Sequence, residues 1–350
     1  MKHNLMIQGT MSGAGKSLPV TGQSMKTAFN LTTSSDDMDR FRSRNDLLDL
    51  LDGFDGVELM YFGEDERGII PPDRVIGLHM GYFPCWLDFW NGDTDALLRE
   101  FGDKAEWESF FGGTGRGVLI DRFRRDLKNA HRYHAEYVVF HVSDATIEET
   151  FTWNYRHSDE EVIDAVCEIL NDVFRDEDGS LLLLMENLWQ PGLTFTRPAM
   201  TERLMRGVAY PNKGIMLDTG HLLHTNTALR TQEEGVVYIN SLLDMHGALC
   251  HWIKGIHLNQ SLTGEYCEQT RLNPPVLGKT FRERYLQMYV HAFAVDEHRP
   301  FTCPGVRELV ERISPEYLTF EFITENGAQH RQFLAKQRAV LDAIRKDDCQ

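Results

Sequence analysis

Nine residues of this 350-residue chain combine a metal-binding type with a telling position, most of them at the end of a short apolar run: His79, His141, Glu186, Asp218, His221, His257, Asp296, His298 and Glu321. The stretch 214–221 shows the pattern most clearly. Its apolar run leads into Asp218-Thr219-Gly220-His221, as a buried parallel strand does when it delivers two polar groups from its C-terminal end. Residues three apart on a straight strand face opposite sides, so Asp218 and His221 converge only if the chain leaves the strand near Gly220. The same letters also describe a strand followed by a plain helix cap. Asp296 and His298 stand two apart and can share a face, as a pair of ligands requires.

Gathered at one mouth, four carboxylates and five imidazoles are costly to bury without cations between them. Oxygen and nitrogen donors without thiolate suit Zn²⁺, Mn²⁺ or Fe²⁺. Nine donors exceed the needs of one ion and suffice for two or three if a carboxylate such as Glu186 bridges. Clustered ions activate water at neutral pH and neutralise attacking and leaving oxygens in phosphoryl chemistry, with no separate side-chain base.

The elements that must position these residues alternate strand with helix. Strands are expected over 26–32, 56–61, 75–80, 137–141, 181–187, 214–218, 253–259 and 317–321. Helices are expected over 36–51, 118–134, 281–294, 306–313 and 329–346, with Ser158 capping another through an acidic first turn. Eight strand-like runs with intervening helices predict an α/β fold, a (β/α)8 TIM barrel over 25–350, in which all strand C-termini meet on one face. No glycine fingerprint follows the first strand, against a dinucleotide site. The segment 83–117, with Trp86, Trp90, Phe110 and Phe111, is long for a connection and is expected either as a wall of the site or as ordinary loop packing. Residues 1–24 form a separate tail in which Gly9 to Ser17 approximates a phosphate loop, but Pro19 and Gly22 interrupt the helix such a loop needs.

The net charge of −17 argues against nucleic acid held on a broad basic surface. Six scattered cysteines without a CxxC pair indicate neither a zinc knuckle nor a disulfide framework. No run is long enough for a membrane span or a signal peptide, and a cytoplasmic, reduced setting is expected.

On these residues the chain from 25 onward resembles the xylose isomerase-like, AP-endonuclease-family TIM barrels, which include endonuclease IV and many sugar isomerases and epimerases. The resemblance is carried by His79 in His-Met-Gly-Tyr, His141, Glu186, Asp218-Thr-Gly-His221, His257 in His-Leu-Asn, Asp296-Glu-His298 and Glu321. All nine resemble the trinuclear zinc set of endonuclease IV, whereas the simpler epimerases need four, matched by Glu186, Asp218, His257 and Glu321. The resemblance implies one to three divalent ions per chain, zinc or manganese, with Glu186, Glu321 and His221 as the catalytic residues. Two features depart from the endonuclease pattern: Gln260 replaces an acidic residue, and the gap from His257 to Asp296 is longer.

The full set also resembles the cobamide-remodelling (CbiR) branch, which hydrolyses the phosphoester of the corrinoid nucleotide loop, and the tail resembles the start of cobyric acid synthase. A phosphoesterase acting on a small corrinoid substrate is therefore expected, with Lys254 and Arg299 as cations that either assist or serve structure. The alternatives are a single-metal isomerase or epimerase of a sugar phosphate and a non-catalytic corrinoid-binding protein. In the epimerase, Glu186 and Glu321 would exchange a proton with the substrate while His221 bound a hydroxyl.

Overall fold

Eight parallel strands close into a barrel in chain order: β1 Lys26–Thr32, β2 Gly56–Met60, β3 Val75–His79, β4 Tyr137–His141, β5 Leu182–Glu186, β6 Lys213–Asp218, β7 Ile253–Leu258 and β8 Tyr317–Phe320. A computed structural model describes residues 25–342; the tail with its phosphate-loop-like stretch lies outside the described residues. Strands of such a barrel are covered on both sides, which is why β5 reads Leu-Leu-Leu-Met-Glu with every residue buried.

Strand register does the first part of the positioning. His141 lies opposite Glu186 across β4 and β5, and Asp218 lies opposite His257 across β6 and β7. Two pairs of donors from four strands are thereby set at the C-terminal end of the barrel, the second two residues beyond the first because Glu186 lies opposite Met216. Several of the helices that follow are started by a capping box of their own. Ser158 and Glu161 form a reciprocal capping box at the helix Asp159–Val173, as the acidic first turn predicts.

Three stretches differ from the sequence expectation. The helix expected over 36–51 is two short ones, Ser35–Met38 and Arg44–Leu50. Between them the Asp46 carboxylate accepts the Arg42 N–H at 2.8 Å, a local bond that competes with helix continuation. The segment 83–117 contributes Phe83 and Pro84 to a groove beside the strand ends and is otherwise not a wall of the site. It folds into helices Trp86–Asn91, Thr94–Phe101 and Lys104–Phe111, whose Trp86, Trp90 and Phe111 are buried core; Phe89 stacks on Phe111 at 4.1 Å. The long link between β7 and β8 carries Gly264–Leu272 as well as the expected Phe281–Val295 and Gly305–Ile313.

Cys85, Cys167, Cys250, Cys267 and Cys303 are all free. Among the described residues, no helix is long and apolar enough to cross a membrane.

Inside the barrel, Tyr137 fills the space left by Gly77. A Cβ on residue 77 would lie 2.2 Å from the Tyr137 ring, and that ring is held by its hydroxyl, which donates to Glu58 at 2.8 Å and lies 3.1 Å from the Thr319 hydroxyl. Gly77→Ala is expected to cost about 1–3 kcal/mol through overpacking, measured by urea unfolding. Gly63→Ala, with nothing within 4 Å of the added carbon, serves as the neutral control.

Candidate metal centre

All nine residues singled out by sequence meet at the C-terminal mouth, and their donor atoms fall into three sets. His79, His141 and Glu186 form one; Glu186, Asp218, His257 and Glu321 a second; His221, Asp296 and His298 a third, the atoms of each set lying within 4.8 Å of one another. In the first, the Nε2 atoms of His79 and His141 stand 3.1 and 3.0 Å from Glu186 Oε2. In the second, His257 Nδ1 lies 3.1 Å from Glu186 Oε1 and 3.2 Å from Glu321 Oε2. In the third, Asp296 Oδ2 lies 3.0 Å from His221 Nε2 and 2.6 Å from His298 Nε2. Glu186 thus turns one oxygen to each of two sets.

The DTGH stretch realises both of its sequence readings at once. The chain leaves β6 at Thr219, and Asp218 caps the helix Thr219–His224 by accepting the His221 N–H at 2.6 Å. The cap places His221 on the first helical turn, facing Asp296 across the mouth. Gly220 is required here by close approach, since a Cβ would lie 1.8 Å from Asn259 Oδ1. His298 sits in the left-handed region at φ 46°, an uncommon backbone state held by the surrounding contacts.

A surrounding layer orients the donors. His79 Nδ1 lies 2.9 Å from the Met80 carbonyl and His221 Nδ1 lies 2.9 Å from the Asn187 carbonyl. A carbonyl only accepts, so each Nδ1 carries the proton and each Nε2 points at the centre. Asn259 donates to Asp218 at 2.8 Å, and Ser261 and His224 hold Asp296 Oδ1 at 2.9 and 3.3 Å. Sequence reasoning missed Glu58, Asn187, His224, Asn259 and Ser261. Glu58 had a signal: it is a carboxylate in the middle of an apolar strand, and it lies 2.9 Å from His257 Nε2. The two cations expected either to assist or to serve structure are engaged elsewhere: Lys254 pairs with Glu316 at 2.9 Å at the opposite end of the barrel, and Arg299 pairs with Glu297 at 2.8 Å.

The residues fit a set of divalent cations. Glu186, Asp218 and His257 are fully buried, and His141 Nδ1, His298 Nδ1 and Glu321 Oε2 are buried without a hydrogen-bond partner. So many hard and borderline donors aimed inward, some left unsatisfied, is the arrangement expected of ligands to divalent cations. Without metal, protons take the place of the cations. Burial opposes charge on His298, but Asp296 and Glu321 prevail and push it up to about 9. Burial, reinforced by Glu321 and Glu186, pushes the Asp218 carboxyl up to about 7. Burial opposes ionisation of Glu186 too, yet the imidazoles of His141 and His257 hold it well below the usual range.

A groove of about 810 Å³ opens beside the centre, reaching Asp296 and lined by aromatic and apolar side chains that include Tyr61, Phe83, Trp189, Met288 and Phe293. The helix Phe281–Val295 forms one side. Two rings join groove to centre: Trp189, 5.3 Å from the His221 ring, and Tyr82, 5.2 Å from the His141 ring.

The sequence profile of the xylose isomerase-like TIM barrel matches residues 112–311. No curated protein matches the chain. Among solved structures, the IolI protein with a bound zinc atom is 13% identical, with 91% of this chain and 99% of that one covered at a TM-score of 0.50. The 3-keto-D-glucoside 4-epimerase YcjR from E. coli is 13% identical over 90% of this chain and 100% of its own, at 0.49. D-psicose 3-epimerase, solved in the presence of D-fructose, is 13% identical over 91% and 99%, at 0.48. At these identities the likeness is one of fold.

Metal removal should make stability depend on pH. The folded-state pKa of His298 is raised, so its protonation stabilises the metal-free fold fully below about pH 6.5, and that contribution is lost as pH rises through about 9. The raised Asp218 acts in the same direction up to about pH 7. The Tm of metal-free protein is therefore expected to fall between pH 6.5 and 9, and metal binding at about pH 7.5 to release protons. Thermal melts, and calorimetry in two buffers of different ionisation enthalpy, check this.

Proposed function

We propose that this chain, which belongs to the xylose isomerase-like TIM barrel family, is a phosphoesterase that works with three divalent cations. The observation that carries the reading is the division of the nine donors into three sets, two of which share Glu186. The central set, Glu186, Asp218, His257 and Glu321, would serve a single-metal sugar isomerase or epimerase by itself. That reading gives His221 a substrate hydroxyl to bind but leaves His79, His141, Asp296 and His298 converging without a task.

When bound, the ions supply Lewis-acid charge at a phosphoryl oxygen and lower the pKa of water. Three divalent cations outweigh the four carboxylates among the nine, so the mouth draws a phosphate anion although the chain carries a net charge of −17. Glu186 holds two sets at a fixed separation, one through each oxygen. Glu321, at the rim beside His257 and His298, would take the proton of the attacking water and return it to the departing oxygen. His221, oriented by the Asn187 carbonyl, keeps the third set in register with the others.

The substrate we assign is the nucleotide-loop phosphoester of a cobamide. A groove of about 810 Å³, lined mainly by aromatic rings and methionines and also by Arg122, Arg125, Asp126 and Asn129, suits a broad body with apolar faces and polar groups at its edge. The nearness of the groove to Asp296 lets such a body lie outside while its phosphoester reaches the centre.

Anaerobic incubation of metal-loaded protein with a cobamide, read by mass spectrometry, is expected to show a free nucleoside and phosphorylated cobinamide. Glu186→Gln should abolish both products. His79→Ala and His298→Ala should each lower the rate on the order of 100-fold or more, as loss of transition-state charge does; rates within a few-fold of wild type would return the assignment to a single-metal isomerase. Phe293→Asp should raise KM for the cobamide roughly 10-fold or more, the size of one lost apolar contact. The same variant should leave hydrolysis of a small phosphodiester such as bis(p-nitrophenyl) phosphate unchanged.

A further inference from the structure

We infer that Glu58 is a positioning residue that fixes the ring orientation and tautomer of His257 and so governs how tightly the central set holds its ion. Glu58 lies in the middle of β2 and is 2% exposed. A carboxylate so placed is costly unless its oxygens are occupied. They are occupied from three other strands: Tyr137 of β4 donates at 2.8 Å, Thr319 of β8 at 3.1 Å, and His257 Nε2 of β7 lies 3.0 Å from the same oxygen and 2.9 Å from the other.

The consequence for His257 follows from geometry. An ionised carboxylate only accepts, so the proton stays on Nε2, and Nδ1 is left facing Glu186, Glu321 and, at 3.8 Å, Asp218. His79 covers the other side of the ring, with centroids 5.9 Å apart and planes 26° from parallel. The ring is thus clamped by Glu58 at its far nitrogen and by stacking on its face. A carboxylate bound to the outer nitrogen of a ligating imidazole orients the ring and raises its basicity.

Glu58, His79 and His257 also offer donor atoms within 4.8 Å of one another, an arrangement in which Glu58 could itself be a ligand. The engagement of one of its oxygens by Tyr137 and Thr319 and of the other by His257 Nε2, and the turning of His257 Nδ1 toward the other carboxylates, assign it instead the supporting role. The inference leans on the proposed centre only through the central set, which the three-ion and single-ion readings share.

The test uses the full chain as Glu58→Gln and as Tyr137→Phe, the second variant keeping the carboxylate while removing one of its donors. Zinc affinity is measured by competition with a chromophoric chelator, the number of ions at saturation by elemental analysis, and ligand geometry by the visible spectrum of Co²⁺-loaded protein. Glu58→Gln is expected to weaken one ion about 10–100-fold and shift the Co²⁺ bands, with the number of ions at saturation unchanged. Tyr137→Phe should weaken the same ion by about 2–10-fold, the worth of one hydrogen bond. Unchanged affinity and spectra in both variants overturn the inference, and so does loss of one ion from the saturated Glu58→Gln protein, which would make Glu58 a ligand. Wild-type protein that saturates at one ion, with the Glu58→Gln effect intact, would overturn the three-ion phosphoesterase and leave the role of Glu58 standing.

Discussion

A fully buried carboxylate at the end of β5 is the constraint on which the mouth of this barrel depends. Glu186 has no exposed surface, and each of its oxygens faces imidazole nitrogens, from His79 and His141 on one side and from His257 and His221 on the other. Such a charge is tolerable only with positive charge on several sides. Protonated imidazoles provide it in the metal-free protein, and cations would provide it otherwise. The closed barrel makes this possible, because it brings six strand ends around one point without any of them being adjacent in sequence to the others' donors.

Strands and connections divide the work. The strands and their first helical turns hold donors in register, where rigid backbone fixes distances. The long link between β7 and β8 supplies Asp296 and His298 and also the helix Phe281–Val295, which forms one side of the groove. One long link therefore both completes the third donor set and shapes what can approach it. The aromatic helices between β3 and β4 play no such part, and their rings pack against one another as core.

Much of this was legible in the letters. Strands of a parallel barrel are apolar on both faces, so the eight runs stood out, and a polar residue ending most of them was conspicuous. The helix break near Arg42 was not legible, since it turns on which side chain takes a backbone N–H. Nor was the fate of Trp86 and Phe111, because an aromatic residue in a long connection has the same composition whether it faces a ligand or the core. Glu58 escaped attention because it interrupts a strand instead of ending one, although an interior carboxylate in an apolar run must find donors somewhere. His224, Asn187, Asn259 and Ser261 gave no signal of their own; they matter through contacts with residues far away in the chain.

By itself the sequence determined which donors exist and that strand ends would carry them, because period, apolarity and turn residues act locally. Tertiary structure decided how the nine divide into three sets, which nitrogen of each histidine faces inward, and where an apolar groove opens beside them. Those outcomes depend on barrel closure and strand register, which set distances between residues tens to hundreds of positions apart. Local sequence preferences carry no information about such distances until the chain has closed on itself.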